Sequence, residues 1–250
     1  MTDAVRPKQK GDRPVPHVVI VGGGFAGIYA VQALKRAPAR VTIIDRRNYH
    51  LFQPMLYQVA TAGLNPSDIT APIRSVVRHQ RNTEVILGEV SAVDKADRQI
   101  ELTDGTRVRY DYLLICTGAR HSYFGHDDWE RLAPGLKGLE DALEIRRRIL
   151  TAFERAEREP DPVKRQALLT FVIVGGGPTG VEMAGAVAEI RSYALRRDFR
   201  HIDPREATVV LLEGTPRLLN AYPESLSEEA KRELRSLGVV VRSETYVTNV

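Results

Sequence analysis

The chain has 250 residues, 43% hydrophobic and 27% charged, with 36 basic against 32 acidic side chains and a net charge of +4. That is the balance of a folded globular protein with room for one large domain or two small ones, and it excludes a disordered chain or a coiled coil. The single cysteine, Cys116, excludes an internal disulfide framework, a dithiol redox pair and a multi-cysteine zinc or iron–sulfur site.

Residues 1–15 are polar and proline-bearing, lack the apolar core of a secretory signal, and are expected to form a flexible tail. The basic clusters, such as Arg146-Arg147-Arg148, are short and dispersed. Without a recognition helix or interleaved stacking aromatics they read as solvated faces, so no nucleic-acid partner is expected. The longest uncharged runs carry glycine triplets, proline and asparagine, which is not the pattern of a bilayer helix. A cytoplasmic chain with at most peripheral membrane contact is expected.

An internal repeat organises the chain. The stretch from Val19 to Gly27, VIVGGGFAG, recurs 153 residues later as VIVGGGPTG, with seven identities in nine positions. Each copy is a β-branched apolar run, three glycines, and a helix-compatible segment, which is the opening of a βαβ unit. In the first, Gly22 lets the chain turn off a strand over 17–21, Gly24 lets a pyrophosphate approach the backbone, and Gly27 lets a helix over 25–37 pack on the sheet. The next strand, over 41–44, ends at Asp45, whose carboxylate suits the hydroxyls of an adenosine ribose. The second copy has Gly175, Gly177 and Gly180, a helix over 178–196, a strand over 208–212, and Glu213. In both, the head of the helix offers unpaired N–H groups and partial positive charge to phosphate. Two such units predict an α/β fold of two Rossmann-like, three-layer dinucleotide-binding domains.

Between and after the repeats, short strands are predicted over 85–90, 99–102, 107–110 and 112–116, with Asp104-Gly105 as a hairpin turn. Apolar residues from Leu139 to Phe153 recur at helical spacing and predict an amphipathic helix over 139–158. A charged, proline-containing connector is expected over 157–165, a helix over 227–237 and a strand over 239–241. His50, His121 and His126 show no metal-ligand spacing and read as structural or exposed; no metal site is expected. Cys116 reads as a small buried hydrophobe, and with no second cysteine a thiol–disulfide relay is excluded.

The segment after Asp45, HLFQPMLYQVATAG followed by NPSDITAPIR, resembles the signature of the type II NADH dehydrogenases, the single-subunit, non-pumping NADH:quinone oxidoreductases. The agreement continues through Tyr110-DYLLICTGAR, Phe124-GHDDWERLAPGLKGLEDALEIRRRIL and the second glycine motif. The resemblance implies FAD at the first motif, on Gly22, Gly24, Phe25, Ala26, Gly27, Asp45 and Arg46, with Gln53, Pro54, Tyr57, Thr117 and Gly118 near the flavin. It implies NADH on Gly175, Gly177, Pro178, Thr179, Gly180 and Glu213, with Glu182 at the nicotinamide–flavin junction in a catalytic role. Read from the residues alone, Glu182 is equally a polar residue favoured by the helix dipole, and Tyr57 and Phe52 are equally core packing.

The resemblance further implies hydride transfer from NADH to FAD and onward delivery of electrons to a quinone. It places the protein in the cytoplasm or on the cytoplasmic face of a bacterial inner membrane, with membrane docking through a C-terminal region, and allows a homodimer. Residues 16–120 would begin the FAD domain, 121–167 connect, and 168–250 begin the NADH domain. Members of that family are longer, so the chain is expected to be truncated at the C-terminal end and to retain FAD weakly. A soluble reductase with a protein acceptor and an inactive nucleotide-binding chain are the competing readings.

Overall fold

A computed structural model describes residues 15–195 and 197–250. The expected tail therefore lies, Val15 apart, outside the described residues. The first stretch runs β1 (His17–Val21), α1 (Phe25–Ala33), β2 (Arg40–Asp45), β3 (Tyr49–Leu51), α2 (Leu56–Ala60), β4 (Thr70–Pro72) and α3 (Ile73–Val77). It continues through β5 (Thr83–Leu87), β6 (Val90–Asp94), β7 (Gln99–Leu102), β8 (Arg107–Arg109) and β9 (Tyr112–Ile115). Then come α4 (Leu139–Arg158), α5 (Pro162–Leu168), β10 (Thr170–Val174), α6 (Pro178–Glu189), β11 (Thr208–Leu212), α7 (Glu224–Ser236) and β12 (Val239–Arg242). The elements form two compact units. One takes the described residues up to Leu51 together with Thr70–Ala119, the other Phe52–Ile69 and Arg120–Val250.

The first unit is built on a parallel sheet in the order β5-β2-β1-β9. Successive residues of a strand face opposite sides, and here both sides are covered, which is why β1 is buried from end to end. On one face Val18, Ile20, Val41 and Ile43 pack with Ile28 and Val31 of α1 and Ile73 and Val77 of α3. On the other, Val19, Val21 and Ile44 meet Ile100 and Leu102 of the antiparallel sheet β6-β7-β8. The strand expected over 85–90 is broken at Gly88, whose N–H bonds the Asp45 carbonyl at 2.9 Å. A Cβ at Gly88 would lie 2.8 Å from the Leu102 Cδ1. The chain crosses there from one sheet to the other, and a side chain at the crossing would have to displace Leu102.

The second unit holds a three-stranded parallel sheet, β10-β11-β12. Helices α6 and α7 cover the face carrying Val209, Leu211 and Val239, all buried. On the opposite face Val172, Val174 and Val240 are 55%, 59% and 42% exposed. Helix α4 buries Ala142, Ile149, Phe153 and Ala156, one stripe at helical spacing, and packs against α2. The expected connector over 157–165 is partly helical. Asp161 accepts from the N–H of Val163 at 2.9 Å, and Pro162 takes the first helical position of α5, the place where its missing N–H costs nothing. The helix expected to reach residue 196 is α-helical only to Glu189. One π-helical turn succeeds it over Ile190–Ala194. From it the Arg191 guanidinium donates to the carbonyls of Leu237 at 2.8 Å and Ala207, tying the starts of β12 and β11 together.

A buried histidine closes the amino-terminal end of the first sheet. His17 Nδ1 accepts from the Arg40 guanidinium at 2.8 Å, so Nε2 carries the ring proton and donates to the Thr42 hydroxyl at 2.7 Å. Burial, and then the charge of Arg40, hold the imidazole below its ordinary 6.5. A lowered folded-state pKa means that the unfolded chain takes up a proton first as the pH falls. The contribution of His17 is therefore intact above about pH 6.5 and drains away below it. Urea midpoints followed by far-UV circular dichroism between pH 8 and 5 should fall on the acid side in the wild type. The fall should be shallower in His17→Gln; parallel profiles would refute the assignment.

Candidate dinucleotide-binding loops

The two glycine loops share one pattern of backbone and carboxylate bonds. After β1, Gly22 adopts φ +107° and its N–H bonds the Ile44 carbonyl at 2.7 Å; after β10, Gly175 adopts φ +103° and bonds the Leu212 carbonyl at 2.8 Å. Positive φ of this kind is open to glycine and costly for other residues. The Gly23 N–H donates to Asp45 Oδ2 at 2.5 Å, and the Gly176 N–H to Glu213 Oε2 at 2.5 Å. The second oxygen of each carboxylate accepts from its own turn, from the Arg47 N–H at 2.6 Å and the Thr215 N–H at 2.7 Å. A Cβ on Gly27 would lie 1.8 Å from the Gly22 carbonyl oxygen, and one on Gly180 the same distance from that of Gly175. These glycines let the helix sit down on its own loop.

Between these fixed points, the head of each helix is open. Gly24, Phe25 and Ala26 are exposed, as are Gly177, Pro178 and Thr179. A Cβ on Gly24 or on Gly177 would meet nothing within 4 Å. Neither α1 nor α6 has a side-chain cap or an acidic residue in its first turn. Helices α4 and α5 differ: at α4, Asp141 accepts from the N–H groups of Lys137 and Gly138, and at α5 Asp161 accepts from the N–H of Val163. Two helix heads thus present uncapped N–H groups and the positive end of the dipole to clear space, which suits a diphosphate.

The remaining sequence-predicted positions divide between the units. Thr117 and Gly118 lie in the first unit, exposed, just past the point where the Cys116 N–H bonds Val21 at 2.7 Å. Their strand β9 and strand β2 flank β1, so the loop opens where the sheet order reverses. Arg46 is half-exposed, with a loose 3.6 Å ion pair to Glu89 that contributes little. Gln53, Pro54 and Tyr57 fall in the second unit. Gln53 and Pro54 sit exposed on the 3₁₀ turn Gln53–Met55, and the Tyr57 hydroxyl accepts from the Gln58 amide at 3.0 Å. Glu182, on α6, is exposed at its rim; surrounding atoms strip part of its water and raise its carboxyl above the ordinary range. Sequence reasoning missed His50, Ile73, Leu218 and Leu219 as parts of the loops. All four meet Gly23 or Gly176 only through the tertiary fold, and no spacing rule marks them. Among the described residues no group of three or more His, Cys, Asp or Glu side chains could hold a metal ion, and no helix is long and apolar enough to cross a membrane.

A sequence profile of the pyridine nucleotide-disulphide oxidoreductases matches residues 16–250. The chain belongs to that family. The family is one of FAD- and NAD-binding proteins, and the α/β fold with parallel sheets read from the sequence is borne out. The family's name notwithstanding, this member has one cysteine and no thiol pair. The chain is 47% identical over 236 residues to the type II NADH:quinone oxidoreductase Ndh of Mycobacterium tuberculosis, covering 93% of this chain and 51% of that one. It is 46% identical to NdhA of the same organism, over 93% of this chain and 50% of that one. A solved structure of NDH2 from Plasmodium falciparum in complex with NADH superposes with a TM-score of 0.86 at 26% identity, over 94% of this chain and 49% of that one. The resemblance to type II NADH dehydrogenases is thereby borne out, and this family member spans about half the length of the relatives it matches.

Proposed function

We propose that this chain binds FAD at the loop after β1 and NADH at the loop after β10, and that it serves an NADH:quinone oxidoreduction that does not pump protons. The observation that carries the reading is the pair of uncapped helix heads facing clear space behind Gly24 and Gly177. The relatives' names supply the reaction. FAD, when bound, supplies the redox chemistry: it accepts a hydride from a reduced nicotinamide and passes electrons on.

The chain's own residues bind and orient. The N–H groups of Gly24, Phe25, Ala26 and Gly27 would hold the FAD diphosphate, Asp45 the ribose with the capacity left on its oxygens, and Arg46 the adenine side. Gln53, Pro54, Tyr57, Thr117 and Gly118 would line the flavin. The heads of Gly177, Pro178, Thr179 and Gly180 after the Gly175 turn would hold the NADH diphosphate, with Glu213 at its ribose, where a carboxylate repels the extra phosphate of NADPH. Glu182 would face the nicotinamide. Desolvation raises its carboxyl above the ordinary range, which favours the protonated form. The reading puts the protein peripherally at the membrane that dissolves the quinone, on the cytoplasmic face in a bacterium, and allows a homodimer. The units it assigns are residues 16–120 for FAD, 121–167 as a link and 168–250 for NADH.

Because a Cβ at Gly24 or Gly177 would meet nothing within 4 Å, Gly24→Val and Gly177→Val should leave the fold intact while blocking the approach of phosphate. Fluorescence titrations should show Gly24→Val losing FAD affinity by more than about tenfold with NADH binding unchanged, and Gly177→Val the reverse. Wild-type chain that takes up neither nucleotide would refute the proposal. In NADH oxidation assays a soluble quinone should be preferred to a ferredoxin as acceptor; the opposite preference would replace the quinone with a protein partner.

A further inference from the structure

Every group of Gly23 is engaged. Its N–H goes to Asp45, and a Cβ there would lie 2.4 Å from the Ile73 Cδ1. Its carbonyl accepts from His50 Nδ1 at 3.0 Å. The equivalent Gly176 is held in the same three ways: N–H to Glu213, α-carbon against the Leu218 Cδ2, and carbonyl to the backbone N–H of Leu219 at 2.8 Å. At this glycine the two loops differ in the donor that its carbonyl meets. What a main-chain amide does in the second, an imidazole does in the first.

The consequence lies in the next peptide along the chain. A trans peptide is planar, with its C=O and N–H pointing in opposite directions. Fixing the Gly23 carbonyl therefore fixes the direction of the Gly24 N–H, the first donor at the head of α1. The imidazole is itself fixed. His50 sits on β3, paired with Ala71 of β4, and the Phe25 ring meets it edge-on at 5.1 Å and 90°. Since a carbonyl can only accept, Nδ1 must carry the proton in this contact.

We propose that His50 is a positioning residue of the first loop: its Nδ1–H holds the Gly23 carbonyl and so aims the Gly24 N–H at the FAD diphosphate. The inference rests on the assignment of that loop to FAD, and its test separates the two. His50→Ala, His50→Asn and His50→Gln are compared in the 250-residue chain. The Asn amide nitrogen stands where Nδ1 stands, whereas that of Gln reaches the Nε2 position. In the apoprotein, Gly23 amide exchange should quicken and the Gly24 amide resonance shift in His50→Ala and His50→Gln. His50→Asn should match the wild type, and the Gly176 and Gly177 amides should be still in all three. FAD affinity should fall about fivefold in the first two, as for loss of one hydrogen bond of ~1 kcal/mol, and hold in His50→Asn, with NADH affinity constant throughout. If the wild type takes no FAD, the assignment of the loop fails while the amide data still decide the role of His50. Unmoved Gly23 and Gly24 amides in His50→Ala, or equal losses in His50→Asn and His50→Gln, would overturn the proposal.

Discussion

Gly22→Ala should cost the first unit about 4 kcal/mol, whereas Gly175→Ala, the same change at the same motif position, should cost the second about 2 kcal/mol. Both glycines sit near φ +105°, at φ +107° and +103°, so any side chain incurs the backbone strain of that region, of order 1–3 kcal/mol. The clash differs. A Cβ on Gly22 would lie 2.3 Å from the Cys116 carbonyl oxygen and 2.7 Å from its carbon, while one on Gly175 meets nothing within 4 Å.

The reason is topological. Strand β9 lies beside β1 and its exit crosses the Gly22 turn, pinned by the bond from the Cys116 N–H to Val21. Among the described residues no strand pairs with the corresponding edge of β10. The chain's one tryptophan, Trp129, belongs to the second unit, which gives each variant its own probe. Urea unfolding of Gly175→Ala should shift by tryptophan fluorescence. That of Gly22→Ala should shift far more by circular dichroism, with amide exchange of β1 accelerated. Equal losses would mean that strain alone, and not the β9 carbonyl, sets the requirement for glycine at Gly22.

Much of the fold was legible in the sequence because it rests on local rules. The glycine triplets after β-branched runs located both loops, and the boundaries of β1 and β11 come from continuous apolar runs in strands paired on both sides. Helix α4 comes from one apolar stripe. What escaped depends on contacts distant in sequence. Gly88 breaks a run of β-formers at a place where a side chain would meet Leu102, fourteen residues on. The π turn at Ile190–Ala194 goes with an arginine reaching carbonyls over forty residues away. Helix α5 was the avoidable miss: Asp161-Pro162 is a cap and then a first-turn proline, and charge alone made it look like a linker. The acidic residues were found by position but given too narrow a task. Asp45 and Glu213 read as ribose acceptors, yet both oxygens of each already receive backbone N–H groups.

That double duty predicts that removing the charge loosens the loops before any ligand is considered. In Glu213→Gln the terminal amide can accept at one oxygen only, and its NH₂ must face either the Gly176 or the Thr215 N–H, donor against donor. Hydrogen bonds to a charged acceptor contribute roughly 1.5–3 kcal/mol each, so the second unit should lose about 2 kcal/mol by tryptophan-monitored urea unfolding. Asp45→Asn should lose about as much from the first unit by circular dichroism, through the Gly23 and Arg47 N–H groups. The acid limb discriminates further. Burial alone would push the Glu213 carboxyl up, but the N–H groups of Thr215, Gly176 and Gly214 outweigh it and hold the group below its ordinary 4.5. A carboxylate lowered in the folded state stabilises above the unfolded value and loses that contribution as the pH falls through the folded one. Wild-type stability of the second unit should therefore drop below about pH 4.5, and the Glu213→Gln profile should be flatter there. If the loop binds NADH as proposed, the same variant should also narrow the preference over NADPH, since the repulsive charge at the ribose is gone. A variant that changed coenzyme preference with no loss of stability would confine Glu213 to ligand recognition, and the bracing of Gly176 would then carry no measurable energy.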